Sequence, residues 1–405
     1  MTPAKAVRHP LTVPTFRLLW TANVIASIGV WMQTVGGAWL MTTLTSDALP
    51  VALMQTATTL PAFLIGLPAG SLADRIDHRR LLLITNAWML ASVLVLLLLT
   101  LFGLVNPWLL LACTFSLGVG STLNAPTWSA MLPDVVSRAQ VPTAIIMNSA
   151  GYNIARAVGP AIGGFVVASF GPAGTFLLNA VSFGATLGAV SRWRPCARRE
   201  QSEGPREAFV RTIVTGLEYV WQSYAQRIVL IRSVIWMLCA SALWGLLPLV
   251  ARRELALDAN GYGLLVSCVG AGAVIGSFFL PEIRRHQPTN RLLIAAVLTF
   301  AAMLFTLAWV RWLPLVCIML GLGGFAWTSS NQNFQIAVQM SAPGWVRARA
   351  IAAYLLTFQG GLALGSAIWG VVAEQADDTV ALTLAGLGMA VGLVAAVRWP
   401  VEDKD

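Results

Sequence analysis

Long apolar runs alternate with short charged turns along the whole chain, and their lengths set the architecture. Each run, at roughly 19 to 28 residues, is long enough to carry a helix across a hydrocarbon core of about 30 Å. Twelve spans are predicted, at 16–43, 50–73, 81–103, 107–132, 141–169, 172–190, 228–250, 261–280, 291–310, 313–339, 347–373 and 379–398. A spanning strand needs only about ten residues and shows strict alternation, which these runs lack, so the pattern predicts an all-α membrane protein. The first run is too long for a signal-peptide core and no small-residue cleavage pattern follows it, so it is read as a retained helix.

The longest polar stretch, about 191–226, follows the sixth span. It divides the chain into a six-helix half at 1–190, a linker at 191–227 and a second six-helix half at 228–405. The halves echo each other. Gly70-Ser71 after the second span corresponds to Gly276-Ser277 after the eighth, and at the same spacing Gly159-Pro-Ala-Ile-Gly-Gly164 in the fifth span corresponds to Gly365-Ser-Ala-Ile-Trp-Gly370 in the eleventh. Leu117-Gly-Val-Gly120 likewise echoes Leu320-Gly-Leu-Gly323. Duplication of a six-helix unit is the simplest cause, and paired helical halves are how many secondary transporters are built. The linker opens with Arg192, Arg194, Arg198 and Arg199 and then sets Phe209, Ile213, Leu217, Val220 and Tyr224 on a helical period. That predicts an amphipathic helix lying on the membrane surface.

Composition removes the soluble classes. With 57% hydrophobic and 11% charged residues, the 405-residue chain cannot solvate the surface of a soluble protein of that size. A net charge of +9 would suit nucleic acid, but the placement of the charges decides otherwise. With both termini in the cytosol, every Lys and Arg except Arg156, Arg252, Arg253 and Arg311 falls on the cytosolic side, while acidic residues divide more evenly. Orientation set by Lys and Arg alone gives this pattern, so the basic excess reports topology and no nucleic-acid partner is expected. The five scattered cysteines make neither a disulfide framework nor a metal-ligand spacing, and His9, His78 and His286 all fall on the cytosolic side, so no metal site is expected. The only lysines are Lys5 and Lys404, in the tails, which excludes a Gly-x-x-x-x-Gly-Lys nucleotide loop and an ATP-driven pump. No spaced acid–base pair or nucleophile motif occurs, so neither enzymatic activity nor a cofactor is expected.

Polar residues inside the spans are sparse and fall into stripes. Asn23, Ser27, Trp31 and Thr34 share a face of the first span, and Ser121, Asn124 and Trp128 one of the fourth. Ser149, Tyr152, Asn153 and Arg156 do so on the fifth, and Thr328, Asn331, Gln332, Gln335 and Gln339 on the tenth. Amides exposed to hydrocarbon would be unsatisfied, so such stripes face protein or a water-filled cavity. Arg156 is the charge farthest from a helix end, roughly 20 Å from the cytosolic side by helical rise. A guanidinium there costs at least ~2.5 kcal/mol unless it meets water, a partner or an anion. No Asp or Glu lies in the membrane interior to neutralise it. Two readings stand: a bound anionic or catecholate-like substrate, or carbonyls freed at Gly159-Pro160 together with snorkelling toward the outer surface.

The turn after the second span reads Gly70-Ser-Leu-Ala-Asp-Arg-Ile-Asp-His-Arg-Arg80. Gly70, without a side chain, allows close helix packing. Asp74, at a helix end, can accept hydrogen bonds from the amino-terminal amides of another helix. With the two six-helix halves, this turn resembles the signature of the major facilitator superfamily. Gly159-Pro160-x-x-Gly163-Gly164 resembles that superfamily's exporter motif, with Ala155 standing where a further glycine is expected. Arg156 before Gly159-Pro160, together with Arg347-x-Arg349 at the eleventh span, resembles the branch containing enterobactin exporters and macrolide efflux proteins.

The resemblance implies the major facilitator fold, with spans one, four, seven and ten around a central cavity. On the stripes, substrate contacts are then expected from Arg156, Asn153, Asn23, Trp31, Asn124, Trp128, Asn331, Gln332 and Gln335. It also implies a cytosolic latch between the second and eleventh spans, with gating assigned to Gly70, Asp74, Arg75, Arg79, Arg347 and Arg349. Protons are the coupling ion such relatives suggest. The chain offers no conventional buried carboxylate for them, and Asp134 is the first candidate. The expected protein is a monomeric secondary exporter of a small amphipathic organic compound in a bacterial cytoplasmic membrane. An importer of a small organic solute and a non-transporting membrane scaffold are the alternatives.

Overall fold

The computed structural model describes residues 9–194, 221–343 and 346–398, apart from the side chains of Ser71, Asp74, Ala348 and residues 395–397. The amphipathic segment expected in the linker falls almost wholly outside the described residues. The described chain is helical throughout. Within a bilayer core the helix satisfies every backbone N–H and C=O within its own segment, which is why apolar runs of this length fold this way.

The helices are α1 (Pro14–Leu44), α2 (Ala48–Arg75), α3 (His78–Leu101) and α4 (Pro107–Val135). Next comes the segment Val141–Arg192, which Gly171 at φ 72° and ψ 174° breaks into α5 (141–170) and α6 (172–192). That left-handed backbone is open to glycine at little cost, and Pro172 opens the next helix. The remaining helices are α7 (Tyr224–Leu249), α8 (Ala259–His286), α9 (Thr289–Trp309), α10 (Leu313–Ser341), α11 (Arg347–Gln375) and α12 (Asp378–Arg398), with one π-helical turn at Val250–Glu254 after α7. Among the described residues ten segments, counting α5 and α6 as one, are long and apolar enough to cross a membrane, and α12 adds a shorter apolar stretch at Asp378–Val394. Local signals set several starts: the side chains of Asp77, Asn106 and Asp258 accept from the amides of Arg80, Leu109 and Gly261 and so cap α3, α4 and α8.

Successive helices run up and down, so the turns carrying Arg75, Arg79, Arg80, Arg138, Arg284 and Arg285 share one basic face. The turns at 45–47, 102–106, 255–258, 310–312 and 376–377 lie at the opposite face. The helices before the linker pack mainly on one another, as do those after it, and the two groups meet chiefly along two seams, α2 against α11 and α5 against α8. Shifting each helix number by six turns one seam into the other.

The repeated glycines follow the same rule. A Cβ on Gly159 would meet Trp31 of α1, and one on Gly365 would meet Ser241 and Leu238 of α7. A Cβ on Gly164 would lie 2.7 Å from the Ala259 carbonyl of α8, and one on Gly370 would lie 2.7 Å from Ala52 of α2. Each copy of the motif therefore presses one glycine on a helix of its own group and another on a helix of the other group. Small residues let backbones approach this closely, which replaces the hydrophobic drive that lipid does not supply.

Candidate functional site

Arg156 lies midway along α5, at the seam between the two helix groups. Pro160 has no N–H, so the Arg156 carbonyl four residues earlier lacks its helical donor. Gly270 of α8 sits directly against that carbonyl, where a Cβ would come within 2.7 Å. The guanidinium lies between two indoles, 5.9 Å from Trp31 of α1 and 5.9 Å from Trp244 of α7. Cation–π contact of this kind contributes about 0.5–2 kcal/mol each, more as water is removed. Among the described residues Arg156 makes no ion pair and no hydrogen bond, and its Nε is buried without a partner.

A chain of aromatic rings continues from this point into the second helix group. Trp244 meets Trp327 of α10 edge-on at 5.6 Å, and Trp327 meets Phe358 of α11 at 5.9 Å. Tyr354 flanks Phe358 at 6.4 Å and donates its hydroxyl to the Asn331 carbonyl at 3.2 Å. On the amino-terminal side Tyr152 lies 6.3 Å from Trp31. Trp244 Nε1 and Asn331 Oδ1 are, like Arg156 Nε, buried with no protein partner. Buried polar atoms without a partner cost free energy that water or a ligand group can return. The cluster thus presents one cation, aromatic faces and unfilled amide and indole groups, which is the chemistry that receives an anionic or acceptor-rich molecule with an apolar body.

The other expected contacts divide. Asn153, Asn23 and Gln332 are half-buried and Gln335 is exposed, and among the described residues their amides make no hydrogen bond. Two residues are turned elsewhere. Asn124 donates to Thr85 of α3 at 3.0 Å, binding α4 to α3. Trp128 is buried in a cluster with Leu19, Leu82, Met131 and Val190 inside the amino-terminal group. Helical spacing put both on one face of α4 but could not say that this face meets α3 and α6. Arg232, which the charge pattern grouped with the cytosolic residues, is buried in α7 and donates to Asn290 at 2.9 Å. A recess of about 420 Å³ between α9 and α12, lined by Trp309, Arg311 and Thr383, lies at the opposite face and includes none of the aromatic chain.

At the basic face Arg79 donates to the Ser191 carbonyl at 2.7 Å, tying α3 to the end of α6 rather than reaching α11. His78 Nδ1 lies 2.7 Å from Asp134 Oδ2, so Asp134 joins α4 to α3 at the surface, far from Arg156. Arg75 and Arg347 are exposed and Arg349 is half-buried. The Asp74 side chain lies outside the described residues. Gly70 and Gly66 meet nothing within 4 Å of a Cβ position, so the close packing expected at Gly70 is not made here, whereas Gly360 of α11 lies against Phe63 of α2.

The opposite face holds what the sequence reading passed over as simple surface charge. Arg252 donates to the Thr42 hydroxyl at 3.1 Å and lies over Trp39, which stacks on Tyr262 of α8 at 6.1 Å. Arg253 pairs with Asp378 at 3.0 Å and donates to the Ser46 carbonyl, and Arg311 pairs with Glu254. Glu374 of α11 accepts from the Ala48 and Leu49 amides at the start of α2. Bonds from the π-helical turn and the α11 end thus cross to the α1–α2 turn.

Two bundles of membrane helices meeting along symmetric seams around a central polar and aromatic site define a secondary transporter of the major facilitator type. The family model described as transmembrane secretion effector matches residues 6–405, and the chain belongs to that family. It is 25% identical to the multidrug efflux pump Tap of Mycolicibacterium fortuitum, over 82% of this chain and 83% of that one. It is 23% identical to the enterobactin exporter EntS of Citrobacter koseri, over 94% and 90%. The crystal structure of the nucleoside transporter NupG superposes with a TM-score of 0.75 at 12% identity, covering 95% of this chain and 98% of that one, a likeness of fold. The chain is a multi-pass membrane protein of the transporter class.

Proposed function

We propose that the protein is a secondary active exporter that takes a small amphipathic organic anion from the cytosol and releases it outside. The observation that carries this reading is Arg156, unpaired at the seam between the two groups, with an indole from each group on either side. A cation stabilised by aromatic faces and left without a carboxylate keeps its capacity for an anion. Its two indoles come from α1 and α7, so rocking of units 1–190 and 228–405 would open and close the site itself. The likeness to Tap, an efflux pump, and EntS, an exporter, supports the outward direction. The basic face is taken as cytosolic by the placement of Lys and Arg.

In everted membrane vesicles this reading expects accumulation of an aromatic carboxylate and little accumulation of its methyl ester. No movement of any member of a broad panel, under either sign of proton gradient, would sink it. In the same reading Asp74, with Arg75, Arg79, Arg347 and Arg349, gates the cytosolic side. The first residue before α11 is Val346, which has no side chain able to cap that helix, so a carboxylate from α2 has an unmet need to fill. Asp74→Asn is expected to lower turnover about tenfold with substrate affinity within twofold, a split that lost binding would reverse. Saturation binding alongside initial transport rates checks it.

A further inference from the structure

The outer end of the α2–α11 pair carries a helix cap that crosses between the two groups. α2 begins at Ala48, and the carboxylate on its first two amides belongs to Glu374, next to last in α11. α2 has its own candidate for that task. Asp47 stands at the N-cap position with extended backbone, φ −74° and ψ 136°, yet makes no capping hydrogen bond. Aspartate at this position ordinarily accepts from the second or third amide of its helix. Here the distant residue holds the amides and the local one stands idle.

The two ends of the pair are built alike. Asp74 is next to last in α2, as Glu374 is next to last in α11, and the two helices run antiparallel. The starts differ. Val346 cannot cap α11, whereas Asp47 is placed to cap α2.

We propose that Glu374 is the outer gating residue of the transport cycle and that opening proceeds by exchange of caps, Asp47 taking the α2 amides as Glu374 withdraws. This rests on the alternating-access reading given above. The exchange keeps the positive end of α2 satisfied in both states, so separating the outer ends exposes no bare amides. Arg253, on the Ser46 carbonyl, and Arg252, on Thr42, cross to the same turn from the second group and release it when the outer ends separate, Arg253 keeping Asp378 of its own group. Glu374 acts on the position of α2 and touches no substrate.

Tyr262→Cys, in a background with the native cysteines replaced by serine, places a thiol at the outer seam, where Tyr262 is buried against Trp39. Its labelling rate by a membrane-impermeant maleimide reads outer opening without any substrate. Glu374→Ala is expected to raise that rate about tenfold, in line with loss of a charged cap, and Glu374→Gln to raise it less, since the amide oxygen still accepts. Asp47→Ala is expected to lower the rate and to slow turnover, because the open state then has no cap. An unchanged rate in both Glu374 variants, or a rise in Asp47→Ala, overturns the proposal. A failure of the exporter reading would appear instead as absent transport with these rates still moving in opposite directions.

Discussion

Arg156→Ala is expected to reach the membrane folded and to move an anionic substrate about a hundredfold more slowly, while any residual transport of an uncharged analogue is unchanged. A hundredfold corresponds to about 2.8 kcal/mol, within the range for a charge-assisted contact in a poorly solvated site. Stability should move the other way or not at all. Holding a guanidinium at this depth costs at least ~2.5 kcal/mol, against about 1 kcal/mol for each indole contact that alanine would lose. The variant should therefore unfold at the same temperature as the parent or slightly above it. Arg156→Lys keeps the charge but not the flat face that fits between Trp31 and Trp244, so it should recover only part of the rate. Paired measurements in reconstituted vesicles, with melting followed by tryptophan fluorescence, test both halves. Full transport by Arg156→Ala would mean that the arginine is structural.

Gly164→Leu should strongly damage the α5–α8 seam. A Cβ there lies 2.7 Å from the Ala259 carbonyl and 3.0 Å from Gly263 Cα, and both are backbone, which cannot swing aside as a side chain can. Overpacking of this kind costs about 1–3 kcal/mol where neighbours can adjust. Here α8 as a whole must move away from α5, at the end where the outer contacts close. Transport is expected to fall at least about tenfold, with the outer seam more open to impermeant reagents. Gly184→Leu is the control, since nothing lies within 4 Å of a Cβ on that α6 glycine, and it should leave transport unchanged. Equal transport by the two variants would show that the Gly164 contact does not limit the cycle.

Much of the fold was legible because membrane helices are specified by a one-dimensional quantity, the length of apolar sequence. The expected span 172–190 ended where α6 does within two residues, and the expected boundary near 170 is the Gly171 break. The site was less so. Arg156 stood out from its sequence because a charge so deep is costly wherever it points. Asn124 and Trp128 looked equivalent to Trp31 by spacing, yet one binds Thr85 and the other packs in a closed cluster. Trp327, Tyr354 and Phe358 gave no signal, since aromatic residues in apolar helices are common. The start of α2 at Ala48 is capped by a residue more than three hundred positions later, a pairing that no local pattern announces.

By itself the sequence determined the helical class, the internal repeat and the depth of Arg156, because each follows from local composition in a medium that admits few backbone arrangements. Only the tertiary structure decided which face of each helix meets which neighbour. Helical period groups residues on a face without naming what lies opposite, and the outer contacts of Glu374, Arg252 and Arg253 exist only once α11 and the α7–α8 turn have come against the start of α2.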